Sequence, residues 1–225
     1  MKINVHAGHN KDGKVGCGAA GLINESTEAR KVKDEVIRQL KALGHTVYDC
    51  TVDNASSVSK NLIEIVNKCN AHDVDLDVSI HFNSGRNDKK GDGDNAGVEV
   101  WLYNSSSKAK SYAENVCKEV HALGFDNRGL KYRTGLYVLK HTNAPAMLIE
   151  CCFVDDADDI ALYNYKTMAS AIVKGITGKT VSSDSKKEKS TNTVYRVQCG
   201  AFSKKENAED LVKKLKSAGF NATII

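Results

Sequence analysis

Two rhythms of apolar residues alternate along the first 178 positions. Ala29, Val32, Val36, Leu40 and Leu43 step by three and four, as do Val58, Leu62, Ile65, Val66 and Cys69. Each series marks one face of an amphipathic helix. The first helix is predicted over 27–43 with Gly44 as its stop, and others over 109–123, stopped by Gly124, and over about 158–176. Between them stand short apolar or alternating runs: residues 1–6, then "HTVYDCTV", "VDLDVSIHFN", "GVEVWLY", "GLYVLKH" and "AMLIECCFV", the last two parted by Pro145, the only proline. Strands alternating with helices predict an α/β fold, a twisted and largely parallel central sheet flanked by helices.

The rhythm stops at Gly178. "GKTVSSDSKKEKSTNT" has no large apolar residue after Val181, which predicts a flexible linker over 179–193 behind a domain of residues 1–178. Residues 194–225 resume with a small strand–helix–strand unit, whose helix carries Ala208, Leu211, Val212, Leu215 and Ala218 on one face and closes at Gly219.

Charge and cysteine usage narrow the function classes. A formal net charge of +4, with no Lys/Arg block interleaved with aromatics, predicts no nucleic-acid partner. Seven cysteines, two of them adjacent at 151 and 152 and none in a CxxC pair, read as reduced thiols and not as a disulfide framework. Neither an apolar signal-peptide core nor a membrane span is visible, so synthesis in the cytoplasm is expected.

In a sheet of this kind functional groups collect at the carboxyl ends of strands. Those ends carry His6 and His9 within "NVHAGHNKDG", His81 in "SIHFN", and Glu150 in "PAMLIECCFV"; Glu25 or Glu28 stands at the start of the first helix. Two histidines and one carboxylate make a zinc set with a fourth position open to water, and a second carboxylate beside it would carry protons in metal-assisted hydrolysis. Glu25 and Glu28 also suit the positive end of a helix dipole. Glu150 has apolar neighbours on both sides, where a carboxylate is costly unless paired or liganded.

Taken in order, "INVHAGHNKDG", "GLINE", "DVSIHFN", "GVEVW" and "NRGLKYRTGLYVLKHTNAPAMLIECCFV" resemble the zinc-dependent N-acetylmuramoyl-L-alanine amidases of the Amidase_3 family, phage endolysins and spore-associated autolysins of Gram-positive bacteria among them. The resemblance covers about residues 1–178. It implies Zn2+ as cofactor, peptidoglycan as substrate, and hydrolysis of the amide between N-acetylmuramic acid and L-alanine; cleavage within the stem peptide by a zinc peptidase is the alternative. It implies His9, Glu25 and His81 as metal ligands and Glu150 as the catalytic residue. His6 stands where the family usually has an aspartate or another polar residue, and Asn10-Lys11 where it has a glycine pair. Asn83, Arg128 and His6 are weaker candidates for contacts to substrate or ligands, and the loop "SGRNDKKGDGDNA" for a border of the substrate groove.

The tail resembles half of a SPOR domain, a wall-binding module built from two strand–helix–strand repeats. One repeat of about 32 residues leaves sheet edges and one face unpaired. The expectation is a homodimer in which each chain donates half, acting on the cell wall after release from the cytoplasm.

Overall fold

The computed structural model describes residues 1–181 and 205–219. Two compact units, Met1–Ser183 and Asp184–Ile225, divide the chain. In the first, six strands form one sheet: β1 (Lys2–Ala7), β2 (Thr46–Asp49), β3 (Leu76–Asn83), β4 (Val98–Leu102), β5 (Asn127–Tyr132) and β6 (Ala146–Phe153), in the order β2-β1-β3-β6-β4-β5. β1, β2, β3 and β6 run parallel; β4 is antiparallel to β6, and β5 is parallel to β4. The sheet is thus largely parallel, with its last two strands reversed.

One face of the sheet is covered by α1 (Glu25–Ala42), α3 (Lys110–His121) and α6 (Tyr165–Thr177). Val32, Val36 and Leu40 of α1, Val116 and Val120 of α3, and Met168 and Ile172 of α6 are buried there against Ile3, Val5, Val78, Val100 and Ile149. The α1 stripe lies where the three-and-four spacing puts it. The other face meets α2 (Val58–Asn70) and the short α4 (Tyr137–His141), with Ile65, Val66, Cys69 and Val138 buried in a second cluster.

Two predicted elements differ. "GLYVLKH" is a helix and not a strand: Val138 and Leu139 enter two separate apolar clusters, so packing overrides β-branched composition. The strand at this edge is β5, "NRGLKY", which has no buried residue and therefore no apolar signature. The predicted last helix is two, α5 (Ala157–Leu162) and α6, because Tyr163 turns extended and the Asn164 side chain caps α6 by accepting from Lys166 N–H and Thr167 N–H.

In the second unit α7 (Lys205–Ser217) forms on the predicted residues, with Ala208, Leu211, Val212 and Leu215 half-buried. Most of the predicted linker and both strands predicted for the tail lie outside the described residues.

Candidate metal centre

The carboxyl ends of β1 and β3 converge on the start of α1. Gly8 continues β1 by donating its N–H to the Ile80 carbonyl (2.9 Å), and a Cβ at this position would fall inside the His81 imidazole. His9 then leaves the strand in the left-handed region, φ 63°. That conformation is held from outside, since Arg30 Nη2 donates to the His9 carbonyl (3.0 Å). Asn10 is fully buried, donating to the Val15 and Ala55 carbonyls (2.7 and 2.9 Å) and accepting from Ala55 N–H (2.8 Å). It fixes the loop that a glycine pair shapes in the family pattern.

Asn24 caps α1 through Thr27 N–H, which makes Glu25 the first helical residue. Glu25 Oε1 lies 3.2 Å from His9 Nε2 and 3.1 Å from His81 Nδ1. Its Oε2 accepts from Ala19 N–H (2.7 Å). Gly18, φ 82°, passes so close that a Cβ there would meet Glu25 Oε2 at 2.5 Å. The three side chains each offer one atom, all within 4.8 Å of one another. Burial alone would push the Glu25 carboxyl up, but its hydrogen bonds to His81 and His9 outweigh this and hold it far below the ordinary range. His81 is pushed down, chiefly by burial, which favours the neutral imidazole with a free lone pair.

Glu150 comes from β6, opposite His81 of β3 on one side and Glu99 of β4 on the other. Its Oε2 is buried without a hydrogen-bond partner. Burial, then the charges of Glu25 and Glu99, raises its pKa to about 8. Asp159 fixes this corner by accepting from Phe153 N–H at the end of β6 (2.7 Å) and Gly97 N–H before β4 (2.9 Å).

Glu99 was not singled out in the sequence, although Val98 and Val100 flank it as apolar residues flank Glu150. It is 4% exposed. Its carboxylate gathers Asn83 Nδ2 (2.9 Å), Trp101 Nε1 (3.1 Å) and Arg128 Nε (2.8 Å), so the two weaker candidates Asn83 and Arg128 meet on one residue.

Glu28 faces elsewhere, paired with Lys31 (2.7 Å) and accepting from Tyr163 Oη (3.0 Å). His6 is fully buried, paired in register with Ser79, and outside the three-residue cluster. Burial, and secondarily His81, lowers its pKa to about 3, and its Nε2 has no partner. The loop 84–96 is pinned to the start of α5: Asp155 accepts from Gly85 and Asn87 N–H, and Asp158 from Asp92 and Gly93 N–H.

Residues 3–179 match the N-acetylmuramoyl-L-alanine amidase family, Amidase_3, and residues 164–225 match the SPOR domain. The SPOR match begins on α6, a helix packed in the first unit. An uncharacterised protein of Clostridium perfringens (strain 13) is 33% identical over 208 residues, 86% of this chain and 60% of that protein. The sporulation-specific N-acetylmuramoyl-L-alanine amidase of Bacillus subtilis is 24% identical over 230 residues, covering 100% of this chain and 84% of that one. The catalytic domain of the CD27L endolysin targeting Clostridia difficile superposes with a TM-score of 0.70 at 27% identity, over 80% of this chain and 99% of that domain. The chain spans 54–60% of the length of the two C. perfringens relatives it matches. With the first unit matched almost from end to end, the chain belongs to the N-acetylmuramoyl-L-alanine amidase family.

Proposed function

We propose that the first unit is a zinc-dependent amidase that hydrolyses the bond between the lactyl group of N-acetylmuramic acid and L-alanine in peptidoglycan. The observation that carries this reading is the His9–Glu25–His81 cluster with Glu150, whose Oε2 is buried and unpartnered, on the strand beside it. Two ligands of one tetrahedral zinc ion, each about 2.0–2.1 Å from it, lie about 3.3 Å apart. Here Glu25 Oε1 lies 3.1–3.2 Å from each histidine nitrogen, all three atoms fall within 4.8 Å of one another, and two imidazoles with one carboxylate suit zinc. His9 Nε2, Glu25 Oε1 and His81 Nδ1 would hold the ion. When bound, zinc supplies Lewis acidity that polarises the scissile carbonyl and acidifies a water.

The remaining work belongs to the chain. Glu25 stays ionised and His81 neutral, the protonation states that ligation needs. Glu150 takes the proton of the attacking water and returns it to the departing amine of L-alanine; a raised proton affinity serves both directions near neutral pH. Mass spectrometry of digested walls tests the bond. New L-alanine amino termini together with free muramyl lactyl groups are expected. Cuts only inside the stem peptide would establish the peptidase reading instead.

We further propose that residues 194–225 bind wall glycan and pair two chains. The SPOR match supports the first part, and the second rests on the sequence expectation alone that one strand–helix–strand repeat leaves sheet edges and one face unpaired. Light scattering at micromolar concentration should report a dimer for the whole chain and a monomer for a chain ending at Gly178. A monomeric whole chain would end the pairing proposal.

A further inference from the structure

We infer that Arg128, fixed in place by Glu99, recognises a carboxylate on the substrate peptide just beyond the scissile amide. The inference rests on the amidase reading above.

Three neighbouring strands set the geometry. Because β4 runs against β6, Glu99 lies at the amino end of β4 directly across from Glu150, and β5 brings Arg128 to the far side of Glu99. Neighbouring strands lie about 4.8 Å apart, so Arg128 is rooted about 10 Å from the strand that carries Glu150. A peptide advances about 3.3 Å per residue, and an acidic group on either of the two residues after L-alanine spans that distance.

Arg128 is built as a presenting group. Its Nε donates to Glu99 Oε2 at 2.8 Å, and its guanidinium carbon lies 5.0 Å from the centre of the Phe153 ring. Glu99 is itself held by Asn83 and Trp101. Of the five guanidinium N–H groups, Nε alone is used by a described residue, and 40% of the side chain is exposed. An arginine serving only to neutralise buried Glu99 would turn its two-pronged edge toward that carboxylate, where the pair is strongest. Here that edge is left free while the stem is clamped on two sides. A guanidinium held in this way loses little freedom on binding and matches a planar carboxylate with two parallel hydrogen bonds.

The test compares two synthetic N-acetylmuramoyl tripeptides that differ at one group. The α-carboxyl of the second residue, a γ-linked D-glutamate, is free in one and a carboxamide in the other. The free acid should be favoured about 10- to 100-fold in kcat/KM, mainly through KM, as befits a charge-assisted bidentate contact. Arg128→Gln should bring the acid-over-amide ratio close to one. Glu99→Gln keeps the shape of the side chain but removes the ionic anchor, and should lower the same ratio, an effect that mere loss of stability would not produce. Calorimetric binding of both peptides to Glu150→Gln should show the same preference without turnover. Equal rates for the two peptides, or a preference that survives Arg128→Gln, overturns the role of Arg128 while leaving the amidase reading intact. Cleavage of neither peptide at the muramyl–alanine bond overturns that reading and the inference together.

Discussion

Replacing Glu150 by glutamine lowers the rate of wall hydrolysis by about 10²- to 10⁴-fold while the protein keeps its fold and its metal. Glutamine fills the same volume on β6 but accepts no proton at neutral pH, so the loss isolates proton transfer. Metal analysis alongside the rate assay separates this from ligation: a Glu150→Gln protein that no longer retains zinc would make Glu150 a ligand and reopen the role of Glu25. A second readout follows from linkage. In the metal-free fold Glu150 holds its proton up to about pH 8, whereas the ordinary glutamate value is 4.5. Between those values the unfolded chain ionises first, so ionisation progressively favours unfolding as pH rises, and the penalty is complete above about pH 8. Glu150→Gln removes a penalty on the order of a few kcal/mol. Metal-stripped variant and parent should therefore unfold at similar urea concentrations below pH 4.5, with the variant the more resistant above pH 8.

His81→Ala should cost the protein its metal, whereas His6→Ala should not. In the proposed site His81 would supply one of three donor atoms, and losing a whole ligand weakens binding by more than the 10- to 100-fold typical of an outer hydrogen-bond partner. His6 lies outside the cluster, and its truncation opens a hole in a fully buried layer, at a cost on the order of 1–3 kcal/mol in folding stability. Dialysis against limiting zinc followed by metal analysis distinguishes them. One equivalent should remain in His6→Ala and almost none in His81→Ala; the reverse pattern would mean that the wrong histidines have been assigned.

Legibility in the sequence followed apolar signal. α1 and α2 lie on their three-and-four stripes, and β3 and β6 on largely buried runs, so the half of the sheet around which His9, Glu25, His81 and Glu150 gather could be read directly. β5 could not, because an edge strand without buried residues leaves only polar letters. The reversal of β4 was equally silent, since strand direction is set by pairing and not by composition. That reversal explains why Glu99 was missed: a rule that looks at the carboxyl ends of strands passes over a residue at the amino end of one running backwards. The cost of a carboxylate between two valines would have found it. The roles of Asn83 and Arg128 needed the fold as well, because both depend on Glu99, to which they are hydrogen-bonded.

The position of β6 in the sheet has a consequence for biosynthesis. The three metal-ligand candidates all lie within the first 81 residues, on elements that pair or pack with one another. β6, which carries Glu150, enters between β3 and β4 in the finished sheet and is made about 70 residues later. At roughly 5–20 residues per second, the strand that carries Glu150 is synthesised several seconds after the last of the three candidate ligands. The proposed proton carrier therefore joins the candidate ligands only with the strand that closes the sheet.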